Sequence, residues 1–137
     1  MSEVTTIETS TVTSPVSTEK LFSFLHALDN YKQLIPEDQI DHWKADQDSC
    51  SFTIKNLSKV GLRRKSADHP NKITLSSDGK VPFDFELEIL LTDQGNEETA
   101  VKLVFNGKIN AFMKVMVVKP LRKFFESLVQ KTTSLNL

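Results

Sequence analysis

The sequence is poor in the residues that build stapled, fibrous or strongly charged proteins. Its 137 residues include one cysteine, four glycines and five prolines. A lone thiol, Cys50, excludes an internal disulfide and any zinc cluster built on several cysteines. Glycine and proline together reach about half of average usage, which excludes collagen-like chains and Pro/Gly-rich disorder. No apolar stretch approaches the ~18 residues of a membrane-spanning helix, and no charged-then-apolar leader opens the chain. A cytoplasmic protein is therefore expected. An excess of one charge is also missing: 17 basic against 18 acidic residues leave a formal −1, which argues against general nucleic-acid binding. The length suits one domain, residues 1–137, with a core large enough to stand without staples.

What is present divides by period. Ten of the first eighteen residues are Ser or Thr, and many are β-branched. β-Branching suits a pleated, half-buried surface, so a strand is expected over 4–13, with residues 1–3 frayed. Pro15 ends it. Ser17 can cap a following helix whose Leu21, Phe22, Leu25 and Leu28 repeat at helical spacing. Asp29-Asn30 closes that helix, and Tyr31, Leu34 and Ile35 form a second short one before Pro36.

From Ile40 to Asn106 apolar residues recur every second position. Phe52 and Ile54 share a face, as do Val60, Leu62 and Arg64, then Ile73 and Leu75. Phe85, Leu87, Ile89 and Leu91 follow, and Val101, Leu103 and Phe105 close the series. Turn-forming residues separate these runs, which implies antiparallel pairing. Over 110–131 helical spacing returns in Met113, Val117, Leu121, Phe124 and Leu128. Phe112, Met116, Phe125 and Val129 widen this stripe beyond the ~100° of an ordinary surface helix. Pro120 should kink or split the helix. The expected architecture is α+β: a curved antiparallel sheet of six to seven strands wrapped around a long C-terminal helix, with two short helices after strand 1. Such a wrapped sheet leaves a cavity beneath its helix.

This order of elements resembles the START/polyketide-cyclase (SRPBCC) superfamily, with the helix-grip fold of the birch pollen allergen. The local match is Ser14-Pro15-Val16-Ser17 leading into Leu21-Phe22, Leu25, Leu28-Asp29, Tyr31 and Ile35-Pro36, together with Leu121, Phe124, Phe125 and Leu128 in the closing helix. The resemblance implies a hydrophobic cavity and no universal catalytic triad. A Rieske pattern of Cys and His is absent, as is the glycine-rich loop of the allergen-type plant proteins.

Candidate chemistry is sparse. His26, His42 and His69 are scattered without metal-ligand spacing, so no metal or other cofactor is expected. Cys50 opens an alternating run and should face the core, and no serine sits in a nucleophile elbow. No catalytic residue is assigned. Strand parity points Arg64 inward, where it could hold a ligand carboxylate at a cavity mouth; if the strand ends at Arg63, Arg64 is simply solvated. The candidate cavity residues are Trp43, Phe52, Leu62, Arg64, Phe85, Phe105, Met113, Met116 and Val117.

Three functions compete. The first is a small soluble binding protein for a hydrophobic ligand, such as a lipid, isoprenoid or polyketide-like molecule. It requires a cavity above about 300 Å³. The second is a cyclase- or dehydratase-like enzyme whose Arg64, His42, Ser77 or Asn106 converge on such a ligand. The third is a protein-interaction module, or a homodimer formed through Phe112, Phe125 or Val129. Charge is uneven: 108–131 carries six bases and one acid, and 84–98 carries six acids and no base. A basic amphipathic helix can lie on an anionic membrane. Covering the sheet uses the same apolar face, so membrane contact is not expected.

Overall fold

The computed structural model describes residues 4–137; the expected fraying of residues 1–3 lies outside the described residues. Strands β1 (Val4–Glu8) and β2 (Val12–Ser14) precede helix α1 (Thr18–His26) and two 3-10 turns, Leu28–Gln33 and Glu37–Gln39. Six further strands follow: β3 (Ile40–Ala45), β4 (Ser49–Ile54), β5 (Ser58–Asp68), β6 (Lys72–Ser77), β7 (Phe85–Gly95) and β8 (Glu98–Lys108). Helix α2 (Ala111–Lys131) and a last 3-10 turn (Thr132–Ser134) close the chain. All pairings are antiparallel, in the order β1-β8-β7-β6-β5-β4-β3, with β2 also on β8. The fold class matches the sequence reading, with eight strands instead of six to seven.

The extra strand comes from a break in the expected 4–13 run. At Thr9 the backbone amide still donates to the Leu103 carbonyl (3.0 Å), but the returning bond from Leu103 N–H ends on Thr9 Oγ1 (3.0 Å) instead of a backbone carbonyl. A side chain thus replaces one rung of the ladder and the chain bends. Ser10, released from the sheet, donates from its amide (2.7 Å) and hydroxyl (2.8 Å) to the Glu126 carboxylate on α2.

Helix α1 begins as the residues require. Ser17 caps it by accepting from the Lys20 amide (3.4 Å). Thr18 Oγ1 meets Thr99 Oγ1 at 3.0 Å, and Thr99 Oγ1 donates to the Val16 carbonyl (2.7 Å), which satisfies buried polar groups while fixing the helix start to β8. The far end is closed by side chains. A helix leaves its last carbonyls without partners; here Asn30 Nδ2 donates to Phe24 O (2.9 Å), Tyr31 Oη to Leu25 O (2.7 Å), and Arg64 Nη1 to His26 O.

Helix α2 runs unbroken through Pro120, so the expected split does not occur. The carbonyl that Pro120 leaves without a donor belongs to Met116, which is exposed, so water can satisfy it. Asn110 caps the helix by accepting from the Met113 amide (2.8 Å). Val117, Leu121, Phe124, Phe125 and Val129 are buried against the concave face of the sheet, whereas Phe112, Val115 and Met116 are exposed. The wide stripe therefore serves two faces: its C-terminal part covers the sheet, and its first turns overhang it.

Candidate functional site

Strand alternation places Phe52 and Ile54 (β4), Leu62 (β5), Phe85, Leu87 and Ile89 (β7), and Leu103 and Phe105 (β8) on the concave face beneath α2. Together with Met113, Met116 and Val117 of α2 they bound a cavity of about 400 Å³. Aromatic rings form most of one continuous wall. Trp43 stacks on Phe52 (5.8 Å between centroids) and Phe52 on Phe124 (5.8 Å), while Phe124 packs edge-on against Phe125 (6.0 Å). Phe125 contacts Phe105 (5.3 Å) and Phe105 contacts Phe85 (5.3 Å). Phe83, from the loop before β7, leans edge-on against Phe105 (6.3 Å).

The few polar groups inside are already bonded. Tyr31 gives its hydroxyl proton to Leu25 O, and Thr132 Oγ1 donates to Val129 O (2.6 Å). Burial pushes the Tyr31 phenol well above its ordinary range, so it stays protonated. The cavity interior thus offers shape and apolar surface, and among the described residues no buried side-chain polar atom lacks a hydrogen-bond partner. Three polar lining residues gather at one end around Leu57, with Asn56 in the β4–β5 turn and Ser58 and Lys59 at the start of β5. Asn56, Lys59, Pro82, Phe112 and Met116 both line the cavity and are exposed, so the mouth lies between this turn, the loop before β7 and the first turns of α2. Gly61 lets that loop approach: a Cβ there would lie 2.1 Å from the Asp78 carbonyl oxygen.

Seven of the nine candidate cavity residues line this space: Phe52, Leu62, Phe85, Phe105, Met113, Met116 and Val117. Two do not. Trp43 lies on β3, where a bulge between Asp41 and Lys44, with His42 at φ 59°, turns it toward Phe52. Phe52 then stands between the indole and the cavity. Arg64 follows neither of the expected courses. Its guanidinium is largely buried at the end opposite the mouth and binds His26 O, Gln47 O (2.9 Å) and the Asp48 carboxylate. It joins the end of α1 to the β3–β4 turn, and all its directed bonds go to protein. Parity located the side chain correctly; only the neighbouring carbonyls decide its use.

Ile54, Leu87, Ile89, Val101 and Leu103 share the strand faces of the predicted residues and line the cavity as well; a further group had no such signal. Tyr31, Leu34 and Ile35 come from a 3-10 turn and its exit, and Leu57, Pro82 and Phe83 from loops, where neither period applies. Leu128 and Pro120 were visible in the helix but carried no indication of facing a void.

The residues proposed for an enzyme do not meet. His42 is exposed on the β3 bulge. Asn106 Oδ1 accepts from Thr6 Oγ1 (2.7 Å) on the outer face of the sheet, and Ser77 Oγ accepts from the Phe85 amide (3.2 Å). None of these, nor Arg64, lines the cavity. Cys50 is buried and faces the core, and burial pushes its thiol up to about 12, which removes the thiolate needed for nucleophilic chemistry. His69 pairs with Glu19 (2.8 Å), and no group of three metal-ligating side chains occurs among the described residues.

The backbone path is shared with known structures. A norcoclaurine synthase of Thalictrum flavum, solved as a point mutant with a transition-state analogue, superposes with a TM-score of 0.76 over 98% of this chain and 94% of its own, at 9% identity. A START superfamily protein from Mycobacterium smegmatis gives 0.68 over 96% and 99% at 11% identity. This is a START-like helix-grip fold. A protein from Thermus thermophilus is similar as well, with a TM-score of 0.73 over 95% of each chain at 14% identity. No family model and no curated protein matches the sequence. At such identities the START-like likeness extends to the fold and leaves the chemistry to the residues of the cavity.

Proposed function

We propose that the protein binds an apolar small molecule, of lipid, isoprenoid or polyketide-like character, in the cavity between sheet and α2. The observation that carries this reading is the combination of a void of about 400 Å³ with an apolar lining whose inner polar groups, Tyr31 and Thr132, donate their hydroxyl protons to backbone carbonyls. That volume falls in the ~300–1,000 Å³ range of small-molecule sites. A close-packed interior leaves few voids larger than a water molecule, and an unfilled apolar cavity is destabilising at about 24 cal/mol per Å³. A guest recovers part of this cost and buries its own surface at about 25 cal/mol per Å². Met113 and Met116, being unbranched and polarizable, allow the wall to adjust to guests of different shape. A polar end of the guest would remain at the mouth, beside Asn56, Ser58 and Lys59.

The test compares native with denaturing mass spectrometry of freshly purified protein, followed by organic extraction and titration with fatty acids, isoprenoids and aromatic polyketide mimics. A retained or saturably bound apolar molecule, one per chain, supports the reading. An empty protein that ignores the whole panel overturns it.

A further inference from the structure

Three of the five exposed large hydrophobic side chains among the described residues fall within five consecutive positions: Phe112 (77% exposed), Val115 (86%) and Met116 (60%). With 3.6 residues per turn, positions 112, 115, 116, 119 and 123 share one face of α2. That face therefore reads Phe, Val, Met, Lys, Lys. Among the described residues no ion pair engages Lys119 or Lys123. Phe112 and Met116 also line the cavity mouth, with Lys59 opposite them on β5.

From this we infer that the first turns of α2 dock on an anionic lipid bilayer, placing the cavity mouth against the membrane. The inference rests on the apolar-guest reading for its purpose but not for its geometry. Phe112, Val115 and Met116 enter the boundary between headgroups and acyl chains, while Lys119 and Lys123 on the same face meet anionic headgroups. The guest then passes between bilayer and cavity along apolar surface instead of through water. A single stripe with a single use would exclude membrane contact, as the sequence led us to expect. The helix has two uses: Leu121, Phe124 and Phe125 stay on the sheet while the exposed turns remain available. A second copy of the chain fits this face poorly, because a two-fold axis through it brings like lysine charges together. The homodimer surface expected from Phe112, Phe125 and Val129 is also reduced, since Phe125 and Val129 are buried.

The experiment is cosedimentation of the full chain, without added guest, on vesicles of phosphatidylcholine alone and of phosphatidylcholine with phosphatidylglycerol. Wild type should bind the anionic vesicles and leave the neutral ones, and binding should fall steeply in high salt. Val115→Glu lies outside the cavity lining and should reduce vesicle binding at least tenfold while leaving the circular-dichroism spectrum and guest titration unchanged. Lys119→Glu and Lys123→Glu should each reduce it about fivefold or more. No binding to anionic vesicles, equal binding to neutral ones, or unaltered binding by Val115→Glu overturns the inference. So does a concentration-dependent dimer, abolished by Val115→Glu, in protein that ignores vesicles. Because vesicle binding is read on protein without guest, its failure is separate from failure of the guest titration.

Discussion

The two ends of α2 are made from the same kinds of residues and are held in opposite ways. From Arg122 onward the helix is fastened to the first strands. Ser10 binds Glu126, Arg122 Nη1 donates to the Glu8 carbonyl (3.4 Å), and Ser14 Oγ donates to the Thr132 carbonyl (2.7 Å). Beneath it Phe124, Phe125 and Val129 are buried. The closed end continues through the side chains that satisfy the last carbonyls of α1, with Arg64 at its edge and Cys50 in the core. At the other end Asn110 supplies the helix cap, and Phe112, Val115 and Met116 face outward. A continuous hydrophobic stripe therefore does not specify a continuous interface. The sheet beneath decides where the stripe is covered, and the mouth lies where the cover stops.

This contrast is sharpest in stability. Phe125→Ala removes a buried ring from the aromatic wall and should lower unfolding free energy by about 3–5 kcal/mol, read from urea denaturation. Phe112→Ala, at the open end, should change it by no more than about 0.5 kcal/mol. Comparable losses at both ends would erase the distinction.

Arg64→Ala probes the closed end without touching the cavity. It leaves the His26 carbonyl without its guanidinium donor, while Gln47 O keeps the Leu28 amide (3.0 Å), and should cost about 1–3 kcal/mol; affinity for an uncharged apolar guest stays constant. A large affinity loss with little change in stability would return Arg64 to the binding site.

Stability should also depend on pH. In the unfolded chain the Cys50 thiol titrates near ~8.5, whereas in the folded protein burial pushes it up to about 12. The unfolded state thus loses its proton first, so the contribution to stability is complete below ~8.5 and declines as pH rises through that window. Tyr31, raised by burial, acts with the same sign at higher pH. Urea midpoints measured between about pH 8 and 11 should fall, and Cys50→Ala should make the fall shallower. An unchanged slope would mean that Cys50 is reached by solvent.

The sequence carried the fold because its two periods change at the element boundaries: Phe85, Leu87, Ile89 and Leu91 alternate, and Leu121, Phe124 and Leu128 do not. It missed the division of the first strand, since Thr9 and Thr11 have the same β-branching as their neighbours. Only the hydroxyl of Thr9, bonded to Leu103, marks the break. For the cavity, strand parity identified Phe52, Leu62, Phe85 and Phe105, and the helix supplied Met113, Met116 and Val117. Trp43 escaped because a bulge resets parity, and Arg64 because its partners lie 16 to 38 positions away in the chain. The exposed turns of α2 were missed because the stripe was read as one face: Met116 and Leu121 are five positions, about 140°, apart around the helix, and only Leu121 is buried.

The central claim is that the space under α2 receives an apolar guest, and methyl-resolved carbon–proton NMR observes that space directly. With a fatty acid or the extracted molecule added, saturable shifts should appear at Leu87, Ile89, Leu103 and Val117, which line the cavity. Ile73 and Leu75, equally buried but outside the lining, should stay in place. Saturable shifts confined to exposed methyl groups, or none across the panel, would contradict the account.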